Sequence, residues 1–156
     1  MRHPSDSEPM LLCRAGSLLC AIPARDVVET MRPLAVEAVA GMPDYVAGLS
    51  IVRGEPTPVV DAQRVFDRGA AAQPAGRWVL LSLGERRAAL AVTAIVGVET
   101  VRRSDLAPLP PVLDPDAASV LDAIGARDAN LLVVLKELRT LPEAAWAAID
   151  TRRAAS

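Results

Sequence analysis

The chain has 156 residues, enough to bury one real core as a single domain or a tight pair of small barrels, with no room for a second large domain. Half of the residues are apolar, yet no uninterrupted apolar run approaches the roughly 20 residues that cross a bilayer, and Met1 to Pro9 lacks the apolar middle of a signal peptide; the expectation is a cytoplasmic protein without direct membrane insertion. Seventeen basic against nineteen acidic residues give a net charge of -2, and the absence of a basic stripe, with only two Trp, one Tyr and one Phe, argues against nucleic acid as a partner.

Residues 1–9 read as a disordered leader. Met10 to Ala15 and Leu18 to Ile22 then flank Gly16-Ser17, a pair suited to a type II′ hairpin. Counting outward from that turn sets Leu11, Cys13 and Ala15 opposite Ile22, Cys20 and Leu18 on one apolar face. Cys13 opposite Cys20 is a hydrogen-bonded pair, the poorer geometry for a disulfide, so buried reduced thiols are expected. Neither a C-x-x-C spacing nor a cysteine-histidine cluster supports a redox switch.

Pro23 and Ala40-Gly-Met-Pro-Asp44 break the chain before Tyr45 to Asp61, where one charged residue and a glycine turn stand between two apolar strands. Thirteen prolines and nine glycines are spread along the length, the punctuation of a β-barrel or sandwich. Residues 68–76 lack any large apolar anchor and read as a linker dividing the chain nearly in half.

The second half repeats the first. Leu80-Leu-Ser-Leu-Gly84 matches Leu11 to Gly16, and Ala88 to Val92 corresponds to Leu18 to Ile22 after a two-residue length difference in the hairpin. Gly97-Val-Glu-Thr-Val-Arg102 corresponds to Val27-Val-Glu-Thr-Met-Arg32, and Gly125-Ala-Arg127 with Leu131 to Leu135 mirrors Arg53-Gly54 with Pro58 to Asp61. The expected fold is all-β: two small barrels related by pseudo-twofold symmetry, the first over about 10–67 and the second over about 77–140. A short C-terminal helix and tail, 141–156, follow. Thr140 to Asp150 carries the helical signal, with Pro142 allowed in the first turn and Trp146 and Ile149 on one side; docking over an open barrel edge is the expected use.

Catalytic chemistry has little to work with. The only histidine is His3 in the leader, so no triad or metal cage is legible, and no phosphate-cradling glycine loop occurs. Asp114 and Asp116 lie in a Pro-bearing loop, where turn residues are common. A binding protein without cofactor or metal is favoured over an enzyme, the alternative being a divergent β-barrel with a small-molecule-binding or catalytic groove.

Among candidate binding residues, Arg53 follows an apolar strand and precedes Gly54, which can take positive φ and reverse the chain. Its guanidinium has two compatible uses: a local clamp on Asp61 or Glu29, or a docking point preorganised by that clamp. Pro56 and Pro58 remove donors from one side of a strand, which marks an edge, bulge or turn and guards it against unwanted pairing.

Tyr45-Val-Ala-Gly48 leading to Arg53-Gly54 and Pro58-Val-Val-Asp61 resembles the CheW family, adaptors that couple bacterial chemoreceptors to the histidine kinase CheA. The resemblance spans residues 10–140 and includes the hairpins at Gly16 and Gly84, Val27 to Thr30 and Pro108-Leu-Pro-Pro111. It implies two five-stranded SH3-like barrels on a shared hydrophobic core, no catalysis, and two partners: a CheA-type kinase regulatory domain and a chemoreceptor cytoplasmic tip. Carried over by position, the family's contact residues fall on Val27, Glu29, Gly48 and Arg53. A receptor tip would then lay an apolar residue near Val27, Val92 and Ile95, with Glu29 and Arg53 at the rim. Three positions depart from the pattern. Ile51 stands where the family usually has Asn, Thr93 where the second barrel usually has Asp, and the aromatic usual near Cys20 is absent.

Overall fold

The computed structural model describes residues 7–66, 74–102, 106–107, 121–127, 130–135 and 143–155. His3, the Pro108 to Pro111 element, Asp114, Asp116 and most of the expected linker lie outside them. Gly16, at φ 63°, and Gly84, at φ 76°, are each followed by a residue of negative φ, the pattern of a type II′ turn. They close the hairpins β1 (Ser7–Ala15) with β2 (Leu18–Pro23) and β6 (Arg77–Leu83) with β7 (Arg86–Val92). The other strands are β3 (Val27–Met31), β4 (Val46–Val52), β5 (Glu55–Asp61), β8 (Ala94–Arg102), β9 (Leu106–Ala107), β10 (Leu121–Arg127) and β11 (Asn130–Leu135). Helix α1 is the short turn Ala62–Phe66, and α2 spans Glu143–Ala155.

Two sheets form, in the orders β8-β1-β2-β11-β10-β9 and β3-β6-β7-β5-β4. Exchanging each strand for its repeat equivalent, β1 for β6, β2 for β7, β3 for β8, β4 for β10 and β5 for β11, turns the first order, less β9, into the second. The parallel contacts obey the same exchange, β5 beside β7 and β11 beside β2. This all-β, two-sheet architecture with internal pseudo-symmetry is the one expected, but the sheets do not divide at residues 68–76. Each hairpin keeps its own strands, whereas β3 crosses to pair with β6 and β8 returns to pair with β1. The barrels are therefore interleaved, and contiguous halves over 10–67 and 77–140 do not describe them.

Two further expectations are corrected. Cys13 pairs with Cys20, and Leu81 with Ala88, at equal distances from their turn glycines, so the hairpins have equal length and Ala88 is the counterpart of Cys20, not of Leu18. The supposed leader also ends early: β1 begins at Ser7, in register with Arg102 of β8, and Glu8 forms an ion pair with Arg25. Polar composition there reflects an edge of the sheet's end, with its backbone still in the ladder.

Alternation along the strands sends side chains to two kinds of core. Leu11, Cys13, Val79, Leu81 and Leu90 face a shared core between the sheets, joined by Trp146 and Ile149 of α2. The opposite parity fills a small interior in each sheet, Met10, Leu12 and Val101 in one and Trp78, Leu80 and Met31 in the other. Arg86 lies 4.7 Å from the Trp146 ring centroid, a cation-π contact that ties the start of β7 to the helix. The C-terminal helix is thus part of the core, more than a cover over an edge.

Candidate functional site

The β4–β5 hairpin carries the site. Its two-residue turn has Arg53 at φ 51° and Gly54 at φ 82°, the doubly positive signature of a type I′ turn. Gly54 alone was expected to take positive φ, and Arg53 is the only non-glycine residue that does so among the described residues. A long side chain in this left-handed region costs about 1 kcal/mol or more, so the arginine is held there by other contacts. Its Nε and Nη2 donate to Oε2 of Glu29 at 3.0 and 2.6 Å. Glu29 sits on β3, at the opposite end of the sheet order from β4, so the ion pair joins the two outermost strands and curls the sheet toward closure. Both side chains stay partly open, 64% exposed for Arg53 and 29% for Glu29. Of the alternative clamps, Glu29 is the one used; Asp61 instead accepts the backbone N–H groups of Gln63 and Arg64 at the start of α1.

Closure is reinforced next to Gly48. The segment after β3 returns along β4, with Glu37 and Leu49 exchanging both backbone hydrogen bonds, at 2.8 and 2.9 Å. Gly48 lies at a register shift, at φ 148°. A Cβ there would stand 2.2 Å from the Glu37 carbonyl oxygen, so glycine is required by backbone contact.

The remaining candidates meet the shared core. Val27 begins β3 opposite Leu81, and Ile95 of β8 pairs with Cys13; both are half-buried and pack on the core's margin. Val92 is different. At 2% exposure it lies within that core and offers no surface, because β7 is a central strand covered on both faces. The structure thus joins Glu29 to Arg53 directly, sets Val27 and Ile95 along one core, and leaves Gly48 and Val92 as supports.

Several features escaped sequence reasoning. Thr93, the departure from the expected Asp, accepts the Gly16 N–H through Oγ1 at 2.9 Å, so a hydroxyl still ties the β7–β8 junction to the first hairpin. Val28, Val96, Val98 and Ile51 are large apolar residues on the surface; the Val-Glu-Thr repeat could have flagged Val28 and Val98 as equivalent. Burial pushes the Cys13 thiol up to about 12, and Cys20 is raised by burial with Cys13 adding to the effect, which fits unreactive thiols. A pocket lined by Ala15, Asp61, Gln63, Pro74, Val92 and Thr93 has about 20 Å3 of space, enough for about one water. Among the described residues, no three His, Cys, Asp or Glu side chains gather as a metal site, and no helix is long and apolar enough to cross a membrane.

Comparison with known proteins agrees with this geometry. Residues 9–144 match the CheW-like domain model. The protein FrzA of Myxococcus xanthus is 30% identical over 141 residues, covering 86% of this chain and 87% of FrzA. The solved structure of the scaffolding protein TtCheW from Thermoanaerobacter tengcongensis superposes with a TM-score of 0.71 at 20% identity, covering 87% of this chain and 90% of that one. By the extent of the domain match and the identity to FrzA, the chain belongs to the CheW-like family.

Proposed function

We propose that this protein is a non-enzymatic cytoplasmic scaffold that couples chemoreceptor tips to the regulatory domain of a CheA-type histidine kinase. The observation that carries the reading is the CheW-like domain running through residues 9–144. The Arg53–Glu29 ion pair supports it, since a strained, half-exposed arginine anchored by one carboxylate is a preorganised contact. In this reading a receptor tip sets an apolar side chain against the margin formed by Val27 and Ile95, with Glu29 and Arg53 as polar contacts at the rim. Gly48 and Val92 act beneath it, by letting the strands close and by filling the core. The small-molecule alternative gains no support from the pocket beside Asp61, whose space suits a water and whose carboxylate is already engaged with two backbone amides. Binding of the purified chain to the cognate kinase regulatory domain and receptor tip tests the proposal, and failure to bind both overturns it.

A further inference from the structure

The chain crosses from one sheet to the other at a single residue. β7 ends at Val92 and β8 begins at Ala94, so Thr93 alone makes the passage, whereas the equivalent crossing from β2 to β3 takes the three residues Ala24–Asp26. Thr93 is held by backbone and side chain together. Its N–H donates to the Arg14 carbonyl at 2.7 Å, and its Oγ1 accepts the Gly16 N–H at 2.9 Å. The chain entering β6 also presses on it: Gly76 donates to the Val92 carbonyl at 3.0 Å, and a Cβ on Gly76 would stand 2.2 Å from the Thr93 carbonyl oxygen.

Polar groups gathered at this crossing have hydrogen-bonding capacity left over. A hydroxyl that accepts the Gly16 N–H still has its own proton to donate, and among the described residues no acceptor meets the one on Thr93. Asp61, at the end of β5, uses Oδ1 for the Gln63 and Arg64 amides, which leaves Oδ2 able to accept. Gln63 lies over the Gly16 turn, its Nε2 2.8 Å from where a Gly16 Cβ would stand. Asp61, Gln63 and Thr93 all line the pocket of about 20 Å3. That space exceeds the roughly 10–15 Å3 that one water requires, and about three polar partners are the usual complement of a buried water. A metal ion is poorly served, because the lining holds one carboxylate, with one of its oxygens engaged, where calcium takes about six to eight oxygens.

We infer that this pocket is a hydration site whose single water accepts the Thr93 hydroxyl proton and donates to Asp61 Oδ2, with the Gln63 amide as third partner, so that the end of β5 in one sheet is fastened to the start of β8 in the other. Thr93 and Asp61 make no direct hydrogen bond, and a bridging water supplies a link nearly as favourable in enthalpy as a direct one. The crossing thereby sets the start of β8, where Ile95 follows two residues later opposite Cys13. This inference stands apart from the coupling reading.

A high-resolution crystal structure of the full-length protein should show one water within about 2.6–3.2 Å of both Thr93 Oγ1 and Asp61 Oδ2. A pocket closed by its own side chains, a water touching only one of the two residues, or an ion in its place overturns the inference. A double-mutant cycle on the unfolding equilibrium gives the second measurement, with Thr93→Val, which removes the hydroxyl, and Asp61→Asn, which keeps Oδ1 for the α1 amides and turns Oδ2 into a donor. The unfolding constant of the double variant should depart from the product of the two single effects by at least about threefold, and Thr93→Ser, which keeps the hydroxyl, should retain the water. Strict additivity overturns the bridge, and loss of the water in Thr93→Ser does the same. Neither measurement involves a partner, so failure here leaves the coupling reading standing, and failure of partner binding leaves this site standing.

Discussion

Arg53, in the β4–β5 turn, and Glu29, on β3, join the two outermost strands of one sheet through a pair of charge-assisted hydrogen bonds to a single carboxylate oxygen. The clamp is solvent-exposed on the arginine side, so its contribution to stability is small, about 0.2–1 kcal/mol, and comparable to the backbone cost of placing Arg in the left-handed region. Stability alone does not explain an arginine at this position.

Replacing Arg53 separates the two roles. Asn-Gly is the favoured pair for a type I′ turn, so Arg53→Asn should keep or raise the thermal midpoint while weakening partner binding by about 1–3 kcal/mol. Calorimetry and binding titration on one variant check both halves. A large fall in the midpoint would make Arg53 chiefly a structural clamp.

Gly48 and Gly84 both have positive φ, but only Gly48 faces backbone. Gly48→Ala should cost about 3 kcal/mol or more, through the clash with Glu37 added to backbone strain. Gly84→Ala, with nothing within 4 Å of its new Cβ, should cost about 1 kcal/mol. Denaturant midpoints distinguish the two, and equal effects would contradict the close approach at Glu37.

The fold was largely legible because its signals are local. Turn glycines, strand alternation and the repeated Val-Glu-Thr segment each act over a few residues, and they located both hairpins and the pseudo-symmetry. Interleaving was not legible, since β3 and β8 carry nothing in sequence that says which hairpin they will flank; that choice is made by the crossing between sheets. Glu29 and Arg53 are 24 residues apart and were brought together by barrel closure, which the sequence suggested only as one of two clamps. Val92 reads like Val27 and Ile95 in sequence, and only the central place of β7 separates a core valine from half-buried ones.

The paired thiols make a pH prediction. Ordinary ionisation lies near 9.0, and burial raises Cys13 to about 12 and Cys20 in the same direction. Above pH 9 the unfolded chain releases thiol protons that the folded chain retains, so stability is intact below pH 9 and declines as pH rises toward 12. Between pH 8 and 10 the loss should be on the order of 1 kcal/mol per thiol. Urea midpoints of the wild type and of Cys13→Ala with Cys20→Ala measure it; a slope that the double variant retains would assign the loss to other groups.

Helix α2 contributes Trp146 and Ile149 to the shared core. Trp146→Ala should therefore destabilise the whole protein by about 3–5 kcal/mol, seen as a lower denaturant midpoint for both sheets together. An unchanged midpoint would mean that the helix is a dispensable cover.

The coupling account is tested most directly by titrating the full-length protein with the CheA-type regulatory domain and the chemoreceptor tip of the same organism, separately and together. The account predicts binding to each, a complex containing all three, and weakening of that complex by about 1–3 kcal/mol in Arg53→Ala while the fold is retained. A properly folded protein that binds neither component would contradict it.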